Sequence, residues 1–394
     1  MVSTSSTTGD APTTSGGAPL DRAELDRALL PFGQSRMLPK AAYTDDAVLE
    51  WERRHVFGGG WVCVGRADDL AEPGSMRTFP AGESSVLVVR GGLDNLDQPM
   101  RAFENACRHR GHELLPCGGS ADGRRAIVCP YHAWTYNLDG SLKAAPRFEE
   151  EATHGMSLNA VPVVDWHGWL FVDPSRTGRF EEHIGALDEI VSGYQARDLR
   201  TVVTHEYDVA ANWKTVIENY QECYHCPMIH PELCKVSAPH SGENLESDGA
   251  WVGGWMELRD GAETMSLDGR SGGTTIARLD EHEQRTVMYV AVLPNLLISL
   301  HPDYVMTHLL TPLTPSSTHI RCEWAFPASA VEQPGFDPSY AVDFWDLTNR
   351  QDWAACESVQ RGMRSPSYTP GPLAPVEDAV YQFVTHMARR YLGA

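Results

Sequence analysis

The sequence predicts an α+β fold in two units, an all-β unit first and then an antiparallel sheet flanked by segregated helices. Three observations predict it. Between residues 60 and 175, short β-rich runs alternate with Gly, Asn and Asp-Gly turn signals, as in a small barrel or sandwich. Further strand-like runs follow one another from residue 201, and the chain closes on helical spacings over 338–363 and 376–392. At 394 residues the chain is long enough for two or three separate cores.

Taken in order, residues 1–20 (MVSTSSTTGDAPTTSGGAPL) are rich in Ser, Thr, Gly, Ala and Pro and are expected to form a disordered tail. They lack the basic start and apolar stretch of a secretion signal. Residues 21–59 hold two helical spacings, Asp21–Leu30 and Thr44–Val56, expected to pack on the C-terminal unit. Residues 60–175 form the β unit, with runs such as WVCVGRADDL, SSVLVVRGG and VVDWHGWLFVDP. The second unit, 176–394, reads as a helix over 181–196, a strand over 201–209 and a helix over 212–226. Strands then follow over 250–257, 274–279, 286–298, 305–312 and 320–326. No internal repeat or heptad run occurs.

A net charge of −21 argues against nucleic acid or an anionic membrane as partner, since both require basic patches. It suits a cationic small molecule or a basic redox partner, although a solvated acidic surface is the simpler explanation. The longest apolar run, 287–300, is too short to span a bilayer and is broken by Pro294. Nine cysteines form no regular disulfide framework, and a chain this long does not need one. The expected compartment is a reducing cytoplasm, where thiolates remain free for metals.

Two metal-ligand constellations carry the chemistry. The first is Cys107-Arg108-His109 with Cys129-Pro130-Tyr131-His132. Each pair is mixed, one thiolate and one imidazole, and each falls on a turn between strands. Two such loops facing one another can give both Cys to one iron and both His to another, the ligand set of a Rieske-type [2Fe–2S] cluster with its His-bound iron toward the surface. The competing reading is tetrahedral zinc. Zinc fingers, however, place Cys with Cys and His with His, on a hairpin followed by a helix. His112 and Cys117 lie outside the pattern.

The second constellation, Glu218, Glu222, His225 and His230, occupies NWKTVIENYQECYHCPMIHPEL. Residues 218, 222 and 225 share a helix face, and a break at Pro227 lets His230 fold back beside His225. Two imidazoles and one carboxylate make the facial triad of a non-haem Fe(II) site that activates O2. The third ligand is expected from TNRQDWAACESVQRG, where Asp352 shares the least polar stripe with Ala355, Cys356 and Val359; Asp346 and Glu357 are its rivals. Glu222 is then free to accept a hydrogen bond from His225, with Glu218 supporting it. Cys223 and Cys226 are expected to be packed thiols.

CRHRGHELL and CPYHAWTYNLDGSL resemble the cluster loops of Rieske oxygenases, and the second stretch resembles the mononuclear-iron helix of their α subunits. The resemblance runs over residues 45 to 390. It implies a helix-grip, START-like catalytic domain, with His225, His230 and Asp352 as iron ligands and Glu222 as the acid bridging to the cluster. Two departures are visible: nineteen residues separate His109 from Cys129, slightly more than usual, with the extra length in a turn at 120–124, and Glu222 stands where Asp is usual.

Within that family, ENYQECYHCPMIHPEL and the closing NRQDWAACESVQRGM look most like enzymes that demethylate glycine betaine or proline betaine. The implied reaction hydroxylates an N-methyl group with O2. The alternative is hydroxylation of an aromatic ring or another small carboxylate, and a redox carrier with a vestigial iron site is a third reading. A cationic substrate calls for aromatic walls, for which Trp251, Trp255, Tyr289, Tyr304 and Trp324 are candidates. His301 and Arg278 are the guesses for its carboxylate. The resemblance further implies a head-to-tail homotrimer in which His132 of one subunit reaches Glu222 of the next. Electrons would come from a separate flavin and iron–sulfur NAD(P)H reductase, since Gly58-Gly59-Gly60 opens no helix and is no nucleotide fingerprint.

Overall fold

The computed structural model describes residues 16–91 and 99–393. Of the expected tail, residues 1–15 lie outside the described residues. Residues 16–20 are described: the Ala18 amide donates to the Tyr391 carbonyl at 2.8 Å, and Ala18 and Leu20 pack on the main core.

Asp21 and Asp45 cap the helices Arg22–Ala28 and Asp46–Glu52 by accepting the amides of Ala23 and Ala47. The second helix ends at buried Glu52, which takes Lys214 Nζ at 2.6 Å, Trp213 Nε1 at 2.9 Å and the Tyr391 hydroxyl. A carboxylate and an ammonium buried together persist only with all such partners in place. The N-terminal helices are thereby fastened to the C-terminal unit.

The β unit holds a five-stranded sheet, a three-stranded sheet and a small three-stranded meander. The meander pairs Ile127–Val128 with Thr135–Tyr136 and the latter with Leu142–Ala144, and its first hairpin carries the second Cys/His loop. The turn expected over 120–124 begins instead as a short strand, Ser120–Ala121, paired with Met76 and Arg77.

The C-terminal unit is a seven-stranded antiparallel sheet crossed by the 25-residue helix Ser339–Met363. Its strands run, in spatial order, Leu199–Val209, Ser317–Pro327, Val305–Thr314, Leu296–Leu300, Thr286–Val292, Trp251–Glu257 and Glu243–Asn244. The architecture is α+β, as expected. Among the described residues no helix is long and apolar enough to cross a membrane.

Four expectations differ in detail. The run 286–298 splits into two strands at Pro294, which has no amide to donate. The Asn295 side chain in that turn bonds both backbone groups of Cys63, joining the two units. Residues 274–279 form no strand; Ile276 and Leu279 are instead buried plugs in the core. The helix over 181–196 is two short ones, broken at Gly185, whose φ of 55° suits glycine. The helix from residue 212 stops at Tyr220 rather than Cys226.

Candidate metal centres and cavity

The two Cys/His loops have the same construction. In the first, the Cys107 amide donates to the His112 carbonyl and the Gly111 amide to the Cys107 carbonyl, at 2.9 Å each. In the second, Cys129 donates to Trp134 at 2.8 Å and Ala133 to Cys129 at 3.0 Å. Each loop closes through a left-handed residue four positions after its Cys, Gly111 at φ 71° and Ala133 at φ 58°. Cys107 and Cys129 are buried, His109 is half-buried and His132 exposed. The two imidazoles sit together with ring centres 4.8 Å apart, and His109 stacks on Trp134.

A tetrahedral zinc with bonds of about 2.0–2.3 Å would hold all four donors within about 4 Å of one another. Among the described residues, His225, His230 and Asp352 are the one such group whose donor atoms all lie within 4.8 Å. No three donors of the first site come that close together. Thiolates within and imidazoles outside, held apart, suit a two-iron cluster instead. Sequence reasoning missed Tyr136. Its hydroxyl accepts the Arg108 amide at 3.0 Å and lies 3.2 Å from Cys107 Sγ, to which it would donate when that sulfur is a proton-free thiolate ligand.

At the second site the polypeptide leaves the helix at Tyr220 because Glu222 captures the next free donors. Its carboxylate accepts the Tyr224 amide and the His225 amide, the latter at 3.1 Å. A short helix, Cys226–Ile229, then restarts with Pro227 in its first turn, where a missing amide costs nothing. His230 follows directly and is folded back on His225.

His225 Nε2, His230 Nε2 and Asp352 Oδ1 form a triangle with edges of 3.1, 2.8 and 3.2 Å. An octahedral ion with bonds of about 2.1 Å sets adjacent ligands about 3 Å apart. The triangle therefore fits one face of such a shell and leaves the opposite face open. Both Nδ1 atoms point away from it, His225 to Glu222 Oε1 at 2.6 Å and His230 to Gln351 Oε1 at 2.7 Å. These acceptors fix the tautomer that aims each Nε2 lone pair inward. Burial opposes charge on His225, but Asp352 and Glu222 outweigh it and push its pKa up to about 9. Burial likewise opposes ionisation of Asp352, and the two imidazoles hold its pKa below the usual value. Donors that favour charge separation in a buried place suit a cation.

Of the rival acids, Asp346 is taken by Tyr207 and Arg350, and Glu357 accepts the Ala210 amide. Glu218 does not support Glu222: it is buried, accepts from Tyr43 at 2.6 Å and does not line the cavity. One turn of helix separates it from Glu222, but the chain leaves the helix in between. Cys223 and Cys226 are joined in a disulfide rather than packed as thiols. Gln351 was not foreseen, since nothing marks it until His230 is known to lie against it.

A cavity of about 490 Å³ opens on the triangle, with Tyr220, Trp255, Tyr289 and Trp345 among its walls. Trp345 sits two turns before Asp352 on the same helix, a spacing the sequence contained but did not flag. Of the aromatic candidates, Trp255 and Tyr289 line the cavity, whereas Trp251, Tyr304 and Trp324 do not. Trp251 and Trp324 are core residues. The Tyr304 hydroxyl is spent on the Met265 carbonyl and on Trp345 Nε1, both at 2.8 Å. His301 is fully buried and stacked on Tyr304, and Arg278 is exposed elsewhere. Neither reaches the cavity.

Residues 60–162 match the Rieske [2Fe-2S] domain, and residues 196–393 match the ring hydroxylating alpha subunit (catalytic domain). The chain is 29% identical to the glycine betaine monooxygenase oxygenase subunit of Pseudomonas aeruginosa, over 96% of this chain and 94% of that one. Its fold is similar to a quaternary ammonium Rieske monooxygenase, CntA, in complex with L-carnitine, at a TM-score of 0.74 and 23% identity over 93% and 98% of the two chains. It is as similar to naphthalene 1,2-dioxygenase from Rhodococcus bound to indole, at a TM-score of 0.75 and 20% identity over 94% and 98%. The same fold thus holds unlike bound molecules. With a Rieske [2Fe–2S] domain ahead of a mononuclear-iron domain whose family model spans half of the sequence, the chain belongs to the ring-hydroxylating alpha subunits, the oxygenase components of Rieske non-haem iron enzymes.

Proposed function

We propose that this oxygenase hydroxylates an N-methyl group of a small quaternary ammonium compound. The observation that carries the reading is the open His225–His230–Asp352 triangle facing a cavity walled by Tyr220, Trp255, Tyr289 and Trp345. Aromatic faces attract a permanent cation without demanding a counter-ion. In balanced form, an N–CH3 group, O2, two electrons and two protons give N–CH2OH and water. Loss of formaldehyde and a proton then leaves the tertiary amine.

In this reading Cys107 and Cys129 hold one iron of the cluster and His109 and His132 the other, while His225, His230 and Asp352 hold the mononuclear iron. Iron held with open positions supplies the activation of O2. The chain's own contribution is positional. Glu222 and Gln351 orient the imidazoles, and the aromatic walls hold the methyl groups toward the triangle.

A head-to-tail homotrimer, with a cytoplasmic NAD(P)H reductase of the flavin and iron–sulfur kind, completes the proposal. It is supported by two exposed apolar patches. Exposed Tyr131 and Phe148 lie against the cluster imidazoles, and exposed Tyr224, whose amide Glu222 accepts, and Val376, which lines the same cavity as Glu222, lie at the other site. A heterologous contact between the two, repeated and closed, makes a ring. The test is formaldehyde release from N-methyl quaternary ammonium compounds by the reduced holoenzyme under O2. About one formaldehyde per compound demethylated is expected, and no release from any of them would reject the reading.

A further inference from the structure

The sequence supplied two guesses for a carboxylate-binding cation, and both fall outside the cavity. Arg278 is exposed elsewhere; His301 is buried, and burial lowers its pKa to about 3, so it is neutral. Among the described residues no Lys or Arg lines the cavity. Besides the two triangle imidazoles, the remaining basic side chain there is His240, which is exposed. Acids are present instead. Glu243 is exposed at the rim, and Asp378 beside it accepts from Asn244 Nδ2 at 2.7 Å. Deeper in, Glu222 and Asp352 already match the charge of a divalent ion with two neutral imidazoles. The two rim carboxylates are surplus.

Two residues of the wall each carry a buried neutral donor with nothing to bond. Gln221 is 5% exposed, and its Nε2 has no hydrogen-bond partner; the hydroxyl of Tyr289 likewise has none. Both residues line the cavity. A buried polar group left unpaired is costly, so such atoms await an acceptor. A hydroxyl or carbonyl oxygen has two lone pairs for them. A carboxylate could accept too, but it would enter without any cation and pass two fixed negative charges.

Resting on the quaternary-ammonium reading above, we infer that the cavity selects a cation ending in a neutral oxygen, an alcohol or carbonyl, over a zwitterion ending in a carboxylate. The onium group lies against the aromatic walls, the neutral oxygen meets Gln221 and Tyr289, and Glu243 and Asp378 draw in net positive charge while repelling the zwitterion's anionic end.

Choline and glycine betaine form a matched pair, alike in size and differing in CH2OH against carboxylate. The full-length holoenzyme, both centres loaded and reduced, is given each compound under O2, and kcat/KM for oxygenated product is read by mass spectrometry. Choline is expected to lead by about tenfold at low salt, with the lead shrinking as salt screens the rim. Glu243→Gln with Asp378→Asn should bring the ratio several-fold toward parity. Gln221→Leu should lower kcat/KM for choline by a several-fold larger factor than for ethyltrimethylammonium, which lacks the oxygen. Glycine betaine equal to or ahead of choline overturns this inference and leaves the broader reading standing. If no quaternary ammonium compound is oxygenated, both fall.

Discussion

Glu222 Oε1 stands 2.6 Å from His225 Nδ1, on the side of the imidazole ring opposite Asp352. One carboxylate thereby touches a proposed iron ligand from behind while remaining partly exposed. That is the position the proposed bridge to a neighbouring subunit's cluster calls for. Glu222→Gln keeps an acceptor near the Tyr224 and His225 amides but removes the charge. We expect both metal centres to load, and product formed per cluster oxidised to fall on the order of 100-fold, a loss typical of an outer-shell partner. Single-turnover assays that count cluster bleaching against product make the measurement. Unchanged coupling would remove Glu222 from the electron path.

Asp352 supplies the sole carboxylate corner of the triangle, and its neighbour Gln351 orients His230. Asp352→Ala should therefore empty the mononuclear site and leave the cluster intact. Iron should drop from about three to about two per chain, with the visible spectrum of the cluster unaltered. Loss of the cluster spectrum as well would mean that Asp352 serves the whole fold rather than one site.

Glu218 makes the opposite kind of prediction, about stability rather than chemistry. Burial raises its pKa to about 8, against the smaller lowering effects of Tyr43 and Lys214. Between the ordinary carboxylate range and about pH 8 the folded chain keeps a proton that the unfolded chain has lost. Stability therefore falls as pH rises through that window. Each unit of pKa difference corresponds to about 1.4 kcal/mol, so the accumulated loss reaches a few kcal/mol. Glu218→Gln should flatten the slope and melt several degrees above the parent at pH 9. Identical melting curves from pH 5 to 9 would show that Glu218 is already ionised in the fold.

Much of this was legible because metal ligands impose spacing that packing does not. Cys107, His109, Cys129 and His132 stand on two loops of one design, and His225 and His230 were identifiable from their segment alone. Asp352 was reached by asking which acid on its helix faced inward. The expectations that failed were ones that depended on where a side chain points in three dimensions. Glu218 and Glu222 are four apart, so helical spacing put them together. The capture of backbone amides by Glu222 ended the helix between them. Trp251, Tyr304 and His301 sit on or beside strands of the correct sheet, but core packing keeps them from the cavity, Trp251 even though it shares a strand face with Trp255, and Trp345 was passed over on a helix read only for its acid.

Tyr136 tests how the first centre is tuned. Its hydroxyl accepts the Arg108 amide and lies 3.2 Å from Cys107 Sγ, to which it would donate its proton when that sulfur is a thiolate ligand. A donor on a cluster sulfur favours the reduced state, which carries the extra negative charge. Tyr136→Phe removes that bond and keeps the ring, which is fully buried against the loop. A net hydrogen bond of about 1 kcal/mol equals about 40 mV for one electron. The reduction potential should therefore drop by some tens of millivolts while cluster content stays constant. Potentiometric titration followed by the cluster's visible absorbance reads the shift. A rise, or no change, would mean that the proton is directed elsewhere and that the sulfur is tuned by the backbone of its own loop.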